Sequence, residues 1–146
     1  NGFFVSSNTD AHDPVADSYR LNGSLRNMTF ILAKDKSLES LKEALLAHRT
    51  LAYSFGSIAG REELLKDFFN ASVAAQVISE NGKGRKTVML TNNTSLPYLL
   101  DFGGNPVILN PFTSIRATMS ADNELCFNVL NMWCSEQGHP QIVIKY

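Results

Sequence analysis

The stretch from residue 71 to residue 90 reads ASVAAQVISENGKGRKTVML, and it decides the fold class. Before it, apolar residues recur at helical spacing. From Ala71 onward the period becomes two, and Val88 and Leu90 alternate with their neighbours as strand residues do. The segment Asn81-Gly82-Lys83-Gly84 is a turn signal between two such runs. This stretch therefore predicts two strands joined by a turn, at the point where a helical part gives way to a β-rich part.

Two helices are predicted on the N-terminal side of this boundary. Ser37 is a suitable N-cap for the first helix, which should end near His48 and Arg49. Its apolar face would consist of Leu38, Leu41, Ala44 and Leu45. The second helix should run from about residue 61 to residue 70, with Leu64, Leu65, Phe68 and Phe69 on one face. Extended segments are predicted at residues 28–33 and 50–54.

The C-terminal side consists of short alternating runs separated by Asn, Gly and Pro turns. Further strands are predicted at residues 106–109, 115–119, 125–130 and 142–146. The expected fold class is α+β, with two helices followed by a small antiparallel sheet or sandwich. We expect a domain boundary near residue 74, with residues 1–74 as one unit and residues 75–146 as an accessory β-domain.

The composition excludes several classes of protein. The chain has 146 residues, 44% of them apolar, and a net charge of −1, so a wholly disordered chain is not expected. Near-neutral charge predicts no general attraction to nucleic acid. No apolar run approaches the ~20 residues that span a bilayer. The chain opens on an apolar run without an initiator Met or a signal-peptide pattern, so we expect a piece of a longer protein and assign no compartment.

Candidate metal ligands follow the apolar run at residues 3–5. The sequence Thr9-Asp10-Ala11-His12 places Asp10 and His12 on the same side of an extended chain. A carboxylate and an imidazole are donors that zinc and manganese accept. From these residues alone, a solvated Asp-x-His loop is the alternative interpretation.

The surroundings of this pair carry a family resemblance. An apolar strand followed by SNTDAHDP at residues 7–14 resembles the final metal-binding motif of the PHP (polymerase and histidinol phosphatase) superfamily of metal-dependent phosphoesterases. The strand at residues 29–33, the helix at residues 38–45 and Arg49-Thr50 resemble the tail of that domain, although His48 stands where relatives have Gly. The helix that begins at Gly60-Arg61 and the sheet-like remainder are similar to the extension of PHP proteins of Bacteroides type.

The resemblance implies a distorted β/α barrel that binds zinc, manganese or iron and hydrolyses phosphate esters with water activated by the metals. Asp10 and His12 map onto the last two ligands, while the remaining ligands would lie in a preceding barrel of the same protein. The expected partners are therefore that N-terminal barrel and, in the full-length protein, a phosphate-ester substrate. We predict no catalytic residue and no bound metal or activity for this chain alone.

The sequence also gives an expectation for five other residues. His48 should meet the dipole at the end of the first helix, and His139 should be solvated in a turn. Trp133 is expected to pack at the core or an edge, with a role as a binding aromatic as the alternative. Cys126 and Cys134 are expected to be free thiols.

A second hypothesis for the whole chain is a complete non-catalytic β-rich binding or interaction module. Asp10 and His12 would then belong to a disordered arm. The sequence that precedes the chain in its gene distinguishes the two hypotheses, since a phosphoesterase barrel would bring a His-x-His motif and further ligands.

Overall fold

The structure is a computed structural model that describes residues 5–10, 25–120 and 122–146. These residues contain two helices and eleven strands. In chain order they are β1 (Met28–Ile31), α1 (Leu38–Leu46), β2 (Thr50–Ser54), β3 (Ser57–Ala59), α2 (Glu62–Ser72), β4 (Val73–Glu80), β5 (Lys86–Asn92), β6 (Tyr98–Asp101), β7 (Pro106–Leu109), β8 (Ser114–Thr118), β9 (Glu124–Val129), β10 (Met132–Trp133) and β11 (Gln141–Lys145). The predicted α+β class and the predominance of antiparallel pairing are confirmed.

The strands form three sheets. The first sheet has the order β1-β2-β3-β10, the second β4-β5-β8, and the third β11-β9-β6-β7. Every neighbouring pair is antiparallel except β10 and β3, which run parallel. The first sheet thus combines strands from the N-terminal half with a strand that begins only at Met132.

Helix α1 starts where the sequence predicts. The Ser37 side chain accepts a hydrogen bond from the backbone N–H of Ser40 at 3.2 Å, which satisfies one of the free donors at the helix N-terminus. After the helix ends at Leu46, His48 adopts a φ of 56°. That is the left-handed conformation that a Gly would adopt readily at a helix end. The chain then turns back into β2.

Helix α2 supplies the centre of the hydrophobic core. Leu64, Leu65 and Phe69 are buried, and Phe68 is partly buried, so the predicted apolar face is confirmed. The Phe69 ring lies 5.1 Å from the ring of Tyr98 and 5.7 Å from that of Phe127, both edge to face. These contacts join the helix to the third sheet.

One hydrophobic cluster contains buried residues from all three sheets and from α2. It includes Leu51 and Met132 of the first sheet, Val88 of the second and Leu100 of the third. Such a continuous cluster holds together the parts of the chain on either side of residue 74. The domain boundary proposed near that residue stays a prediction.

The hairpin predicted at the start is present as β4 and β5. The Asn81 side chain accepts hydrogen bonds from the backbone N–H groups of Lys83 and Arg85, at 2.9 and 3.0 Å, and so shapes the turn. Cross-strand neighbours include Val77 and Val88. The period-two pattern therefore identified this element correctly.

Three strands were missing from the sequence-based assignment. Ser57–Ala59 form β3, although the glycines on either side of them, Gly56 and Gly60, are typical of a loop. Tyr98–Asp101 and Met132–Trp133 also form strands. Ser57–Ala59 and Met132–Trp133 are too short to show a period, so the strands that pair with them determine these two elements.

Candidate metal-ligand segment and adjoining groove

The first sheet has two chemically different faces because side chains alternate along each strand. Leu51, Ile58 and Met132 belong to the inner face and are buried in the core. The cross-strand register places Ala59 beside Trp133 on the opposite face. That opposite face, which also carries Thr29 and Thr50, is called the outer face below.

Residues 5–10 lie across the outer face. The Thr50 hydroxyl donates a hydrogen bond to the Val5 carbonyl at 2.7 Å. The Ser7 backbone N–H donates to the Thr29 hydroxyl oxygen, and that hydroxyl donates back to the Ser7 carbonyl, both at 2.9 Å. Thr50 is only 2% exposed, so the Val5 carbonyl satisfies a buried hydroxyl that would otherwise lose its partner. Two threonines of the sheet thus fix the course of this segment.

Asp10 stands at the end of the anchored segment. It is exposed, adopts a φ of 47°, and its backbone N–H donates to the Asn8 side-chain oxygen at 3.3 Å. Asp tolerates this left-handed conformation better than most residues. The turn leaves the Asp10 carboxylate on the surface, available to a ligand. His12, its predicted companion, lies outside the described residues.

The described residues do not bring together a complete set of metal ligands. Within residues 5–10, 25–120 and 122–146, no three His, Cys, Asp or Glu side chains come together as a metal-binding group. A zinc site needs three or four protein ligands. The exposed Asp10 carboxylate has the chemistry of one oxygen ligand, and its metal role stays a prediction.

A groove opens on the outer face next to this segment. It has a volume of about 350 Å³. Its lining residues are Val5, Ala59, Gly60, Arg61, Trp133, Cys134 and Ser135. Val5 contributes one wall, so the groove and the candidate ligand Asp10 share the same segment of chain.

Trp133 is the main aromatic surface of the groove. It is 37% exposed, and its ring packs at 4.3 Å from the ring of His139, tilted by 58°. His139 Nδ1 lies 2.7 Å from the Met132 carbonyl oxygen, within hydrogen-bond distance. The prediction that His139 is solvated was wrong, since this imidazole is partly buried and supports the indole from one side.

The opposite wall depends on a glycine. The Gly60 backbone N–H donates to the Trp133 carbonyl at 3.1 Å, which continues the parallel pairing of β3 and β10. A Cβ atom on Gly60 would come within 2.4 Å of the Leu51 side chain. A side chain at this position would have to displace the buried Leu51 side chain, and Arg61 follows at the groove immediately before α2 begins.

Arg61 brings a positive charge to the groove. Its side chain is 49% exposed, and its guanidinium lies 3.4 Å from the Glu63 carboxylate. Because both partners are exposed, this ion pair is weak and open to exchange with another anion. The groove thus combines an indole surface, a guanidinium and the side chains of Cys134 and Ser135.

The sequence identified the members of this groove only in part. The sequence offers Trp133 as a possible binding aromatic, but it gives Arg61 only the role of the first residue of the second helix. Their meeting depends on the parallel pairing of two short strands that lie more than seventy residues apart in the chain. The one available signal was the pair of glycines that flank residues 57–59.

The remaining expectations concern His48 and the cysteines. His48 follows the C-terminus of α1, and its backbone N–H donates to the Leu45 carbonyl at 3.0 Å. Cys126 and Cys134 are both free, as predicted. In the part of the chain that the structure describes, no helix has the length and apolarity to span a membrane.

Comparison with known proteins gives one informative match. No family model matches the chain, and no curated protein matches it. A solved two-domain protein from Bacteroides vulgatus shares this fold. It is described as containing a predicted PHP-like metal-dependent phosphoesterase, and the two chains are 26% identical with a TM-score of 0.85. The match covers 99% of this chain but only 46% of the Bacteroides chain, so the sequence spans about half the length of its relative.

Proposed function

We propose that this chain is the C-terminal part of a two-domain metal-dependent phosphoesterase. The observation that carries this proposal is the similarity to the two-domain Bacteroides vulgatus protein over 99% of the chain. Residues 1–74 would contain the tail of the phosphoesterase barrel, and residues 75–146 an accessory β-domain. Phosphate-ester hydrolysis would take place in the longer protein, and this chain alone would be inactive.

Asp10 and His12 would contribute two ligands to the metal centre of that protein. The hydrogen bonds from Thr29 and Thr50 hold the chain that leads to Asp10, and its carboxylate is exposed. A divalent metal bound there would lower the pKa of a bound water and offset charge on the phosphoryl oxygens. The chain's own contribution is to hold one carboxylate at a fixed place beside the groove.

Exposed apolar residues on α1 support a covering domain. Only Ala44 of this helix is buried, whereas Leu38 is 60% exposed and Leu46 is 83% exposed. Ile31 of β1 and Leu45 are also exposed. The sequence predicted that Leu38 and Leu45 would face a core, and within the described residues they do not. A neighbouring barrel would give these side chains the partner that the helical pattern implies.

The test uses the protein that carries both domains. Asp10→Asn and His12→Gln should each reduce the bound zinc, manganese or iron, measured by mass spectrometry. Each should also lower kcat/KM for p-nitrophenyl phosphate by at least about 100-fold, since even groups that only support metal ligands cost about 10- to 100-fold. Asp67→Asn, which removes an exposed carboxylate from α2, serves as the matched control and should change neither value.

Three results would contradict the proposal. Full metal content and full activity in Asp10→Asn would remove Asp10 from the metal centre. Saturable micromolar zinc binding by this chain alone, centred on Asp10 in amide NMR spectra, would show that its ligands do not come from another domain. A longer protein without any phosphoesterase activity would favour the non-catalytic binding module.

A further inference from the structure

We propose that the groove beside Trp133 binds a small ring compound that carries an anionic group. The proposal does not depend on phosphoesterase activity, because it rests on the outer face of the first sheet alone. The groove brings together a surface on which a ring can stack and a cation that can hold an anion. Neither feature is used by the hydrophobic core or by the candidate metal ligands.

The indole of Trp133 provides the stacking surface. Pairing of β10 with β3 fixes its backbone, and His139 packs against its ring at 4.3 Å. Because this packing already restricts the Trp133 side chain, ligand binding would cost less side-chain conformational entropy. The ring remains 37% exposed on the open side, which leaves room for a planar or sugar ring.

Arg61 provides the charge. Arg61 lines the groove and follows Gly60, whose backbone N–H bonds to the Trp133 carbonyl at 3.1 Å and so fixes the Arg61 backbone beside β10. Guanidinium groups form paired hydrogen bonds with phosphate and carboxylate groups. The exposed Glu63 carboxylate competes for the same guanidinium at 3.4 Å, so an incoming anion has to displace it.

The size of the groove limits the ligand. A volume of about 350 Å³ lies at the small end of ligand sites, which favours a single ring with one charged group. The side chains of Ser135 and Cys134 also line the groove and can contact ring substituents. Sugar phosphates and aryl phosphates share the required chemistry.

The chain contains its own reporter, because Trp133 is its only tryptophan. Phenyl phosphate and glucose 6-phosphate are titrated against this chain while Trp133 fluorescence is recorded, with inorganic phosphate as the ring-free probe. We expect a saturable change for at least one ring compound, with an affinity at least about tenfold higher than for inorganic phosphate. The better ring compound also shows which kind of ring the groove prefers.

Three variants test the contacts, and a fourth, Lys66→Gln, is the charge control. Arg61→Gln should weaken binding at least tenfold, whereas Glu63→Gln should strengthen it severalfold because the competing carboxylate is removed. Lys66→Gln removes one positive charge from the same helix and should leave the affinity unchanged. Trp133→Phe, followed by calorimetry, should reduce the preference for a ring compound over inorganic phosphate.

The proposal fails if no ring compound gives a saturable signal, or if inorganic phosphate binds as tightly as both ring compounds. It also fails if Arg61→Gln and Lys66→Gln weaken binding equally, since the effect would then reflect net charge alone. Circular dichroism of each variant confirms that the fold is retained. Because no metal takes part in these titrations, their outcome is separate from that of the phosphoesterase test.

Discussion

Asn131 connects two sheets through its side chain, and replacing it with Ala should destabilise the protein strongly. Its side-chain oxygen accepts a hydrogen bond from the Leu99 N–H at 2.9 Å. Its amide nitrogen donates to the carbonyls of Gly56 and Pro97, at 3.0 and 2.9 Å. Asn131 therefore joins the β2–β3 turn of the first sheet to the start of β6 in the third. Asn131→Ala would leave all three backbone groups without this partner.

The expected loss follows from the count of hydrogen bonds. Each contributes about 1 kcal/mol net, so Asn131→Ala should lower the free energy of unfolding by about 3 kcal/mol. With a urea slope of about 1.5 kcal/mol per M, the midpoint should fall by about 2 M. Asn105→Ala is the matched control, because Asn105 makes a single exposed side-chain hydrogen bond of 3.4 Å to Phe102. It should cost less than about 0.5 kcal/mol.

The assay is urea unfolding followed by far-ultraviolet circular dichroism, which reports on the whole chain, with Trp133 fluorescence as the local signal near the substitution. Asn131→Asp gives an independent check, because it keeps the acceptor for Leu99 but places a carboxylate against two carbonyls. That variant should recover part of its stability below the ordinary carboxyl pKa of about 4, where the group can donate again. A loss below about 0.5 kcal/mol for Asn131→Ala, with an unchanged urea slope, would refute the reasoning.

Two further predictions concern a close contact and an ion pair. Gly60→Ala should cost about 1–3 kcal/mol in urea unfolding, because the new methyl group would meet the buried Leu51 side chain at 2.4 Å. Gly82→Ala, where nothing lies within 4 Å of the added Cβ, should cost far less, and equal costs would exclude the contact as the cause. The hydrogen bond from Arg49 lowers the pKa of the Glu43 carboxyl below its ordinary value of 4.5. The stability that this pair provides is therefore present above pH 4.5 and is lost as the pH falls through the lower pKa of Glu43 in the folded protein. In an NMR titration, Arg49→Gln should bring the Glu43 pKa back towards 4.5. An unchanged Glu43 titration in this variant would contradict the assignment.

The sequence predicted elements whose causes are local. Ser37 caps α1 because a hydroxyl next to an apolar run satisfies a free N–H group, and no tertiary contact is needed. The buried face of α2 and the β4–β5 hairpin also follow from spacing and turn residues. The φ of 56° at His48 is the left-handed conformation common just after a helix ends, where Gly is favoured.

Features that depend on distant partners were not predictable in the same way. Met132 and Trp133 form a strand only because β3 lies alongside, and neither segment is long enough to show a period. Without that pairing, Arg61 and Trp133 would not line the same groove, so the sequence offered no signal for it beyond the two glycines that flank residues 57–59. The apolar spacing predicted helix α1, but Leu38 and Leu46 of this helix are not buried by the described residues. Periodicity shows that a face is apolar without showing which part of a protein covers it.

The groove and the candidate metal ligand are constrained to be neighbours. Val5 lines the groove, and Asp10 follows it by five residues. Five extended residues span at most about 17–18 Å, so Asp10 lies within that distance of the Val5 wall whatever its exact path. The two hydrogen bonds between Ser7 and Thr29 restrict the position of this segment further. A ligand that displaces Val5 would therefore pull on the segment that carries the Asp10 carboxylate, and a metal held by Asp10 would in turn stiffen one wall of the groove. If a groove ligand changes the affinity of Asp10 for a metal, linkage requires that the metal change the affinity of the groove for that ligand by the same factor.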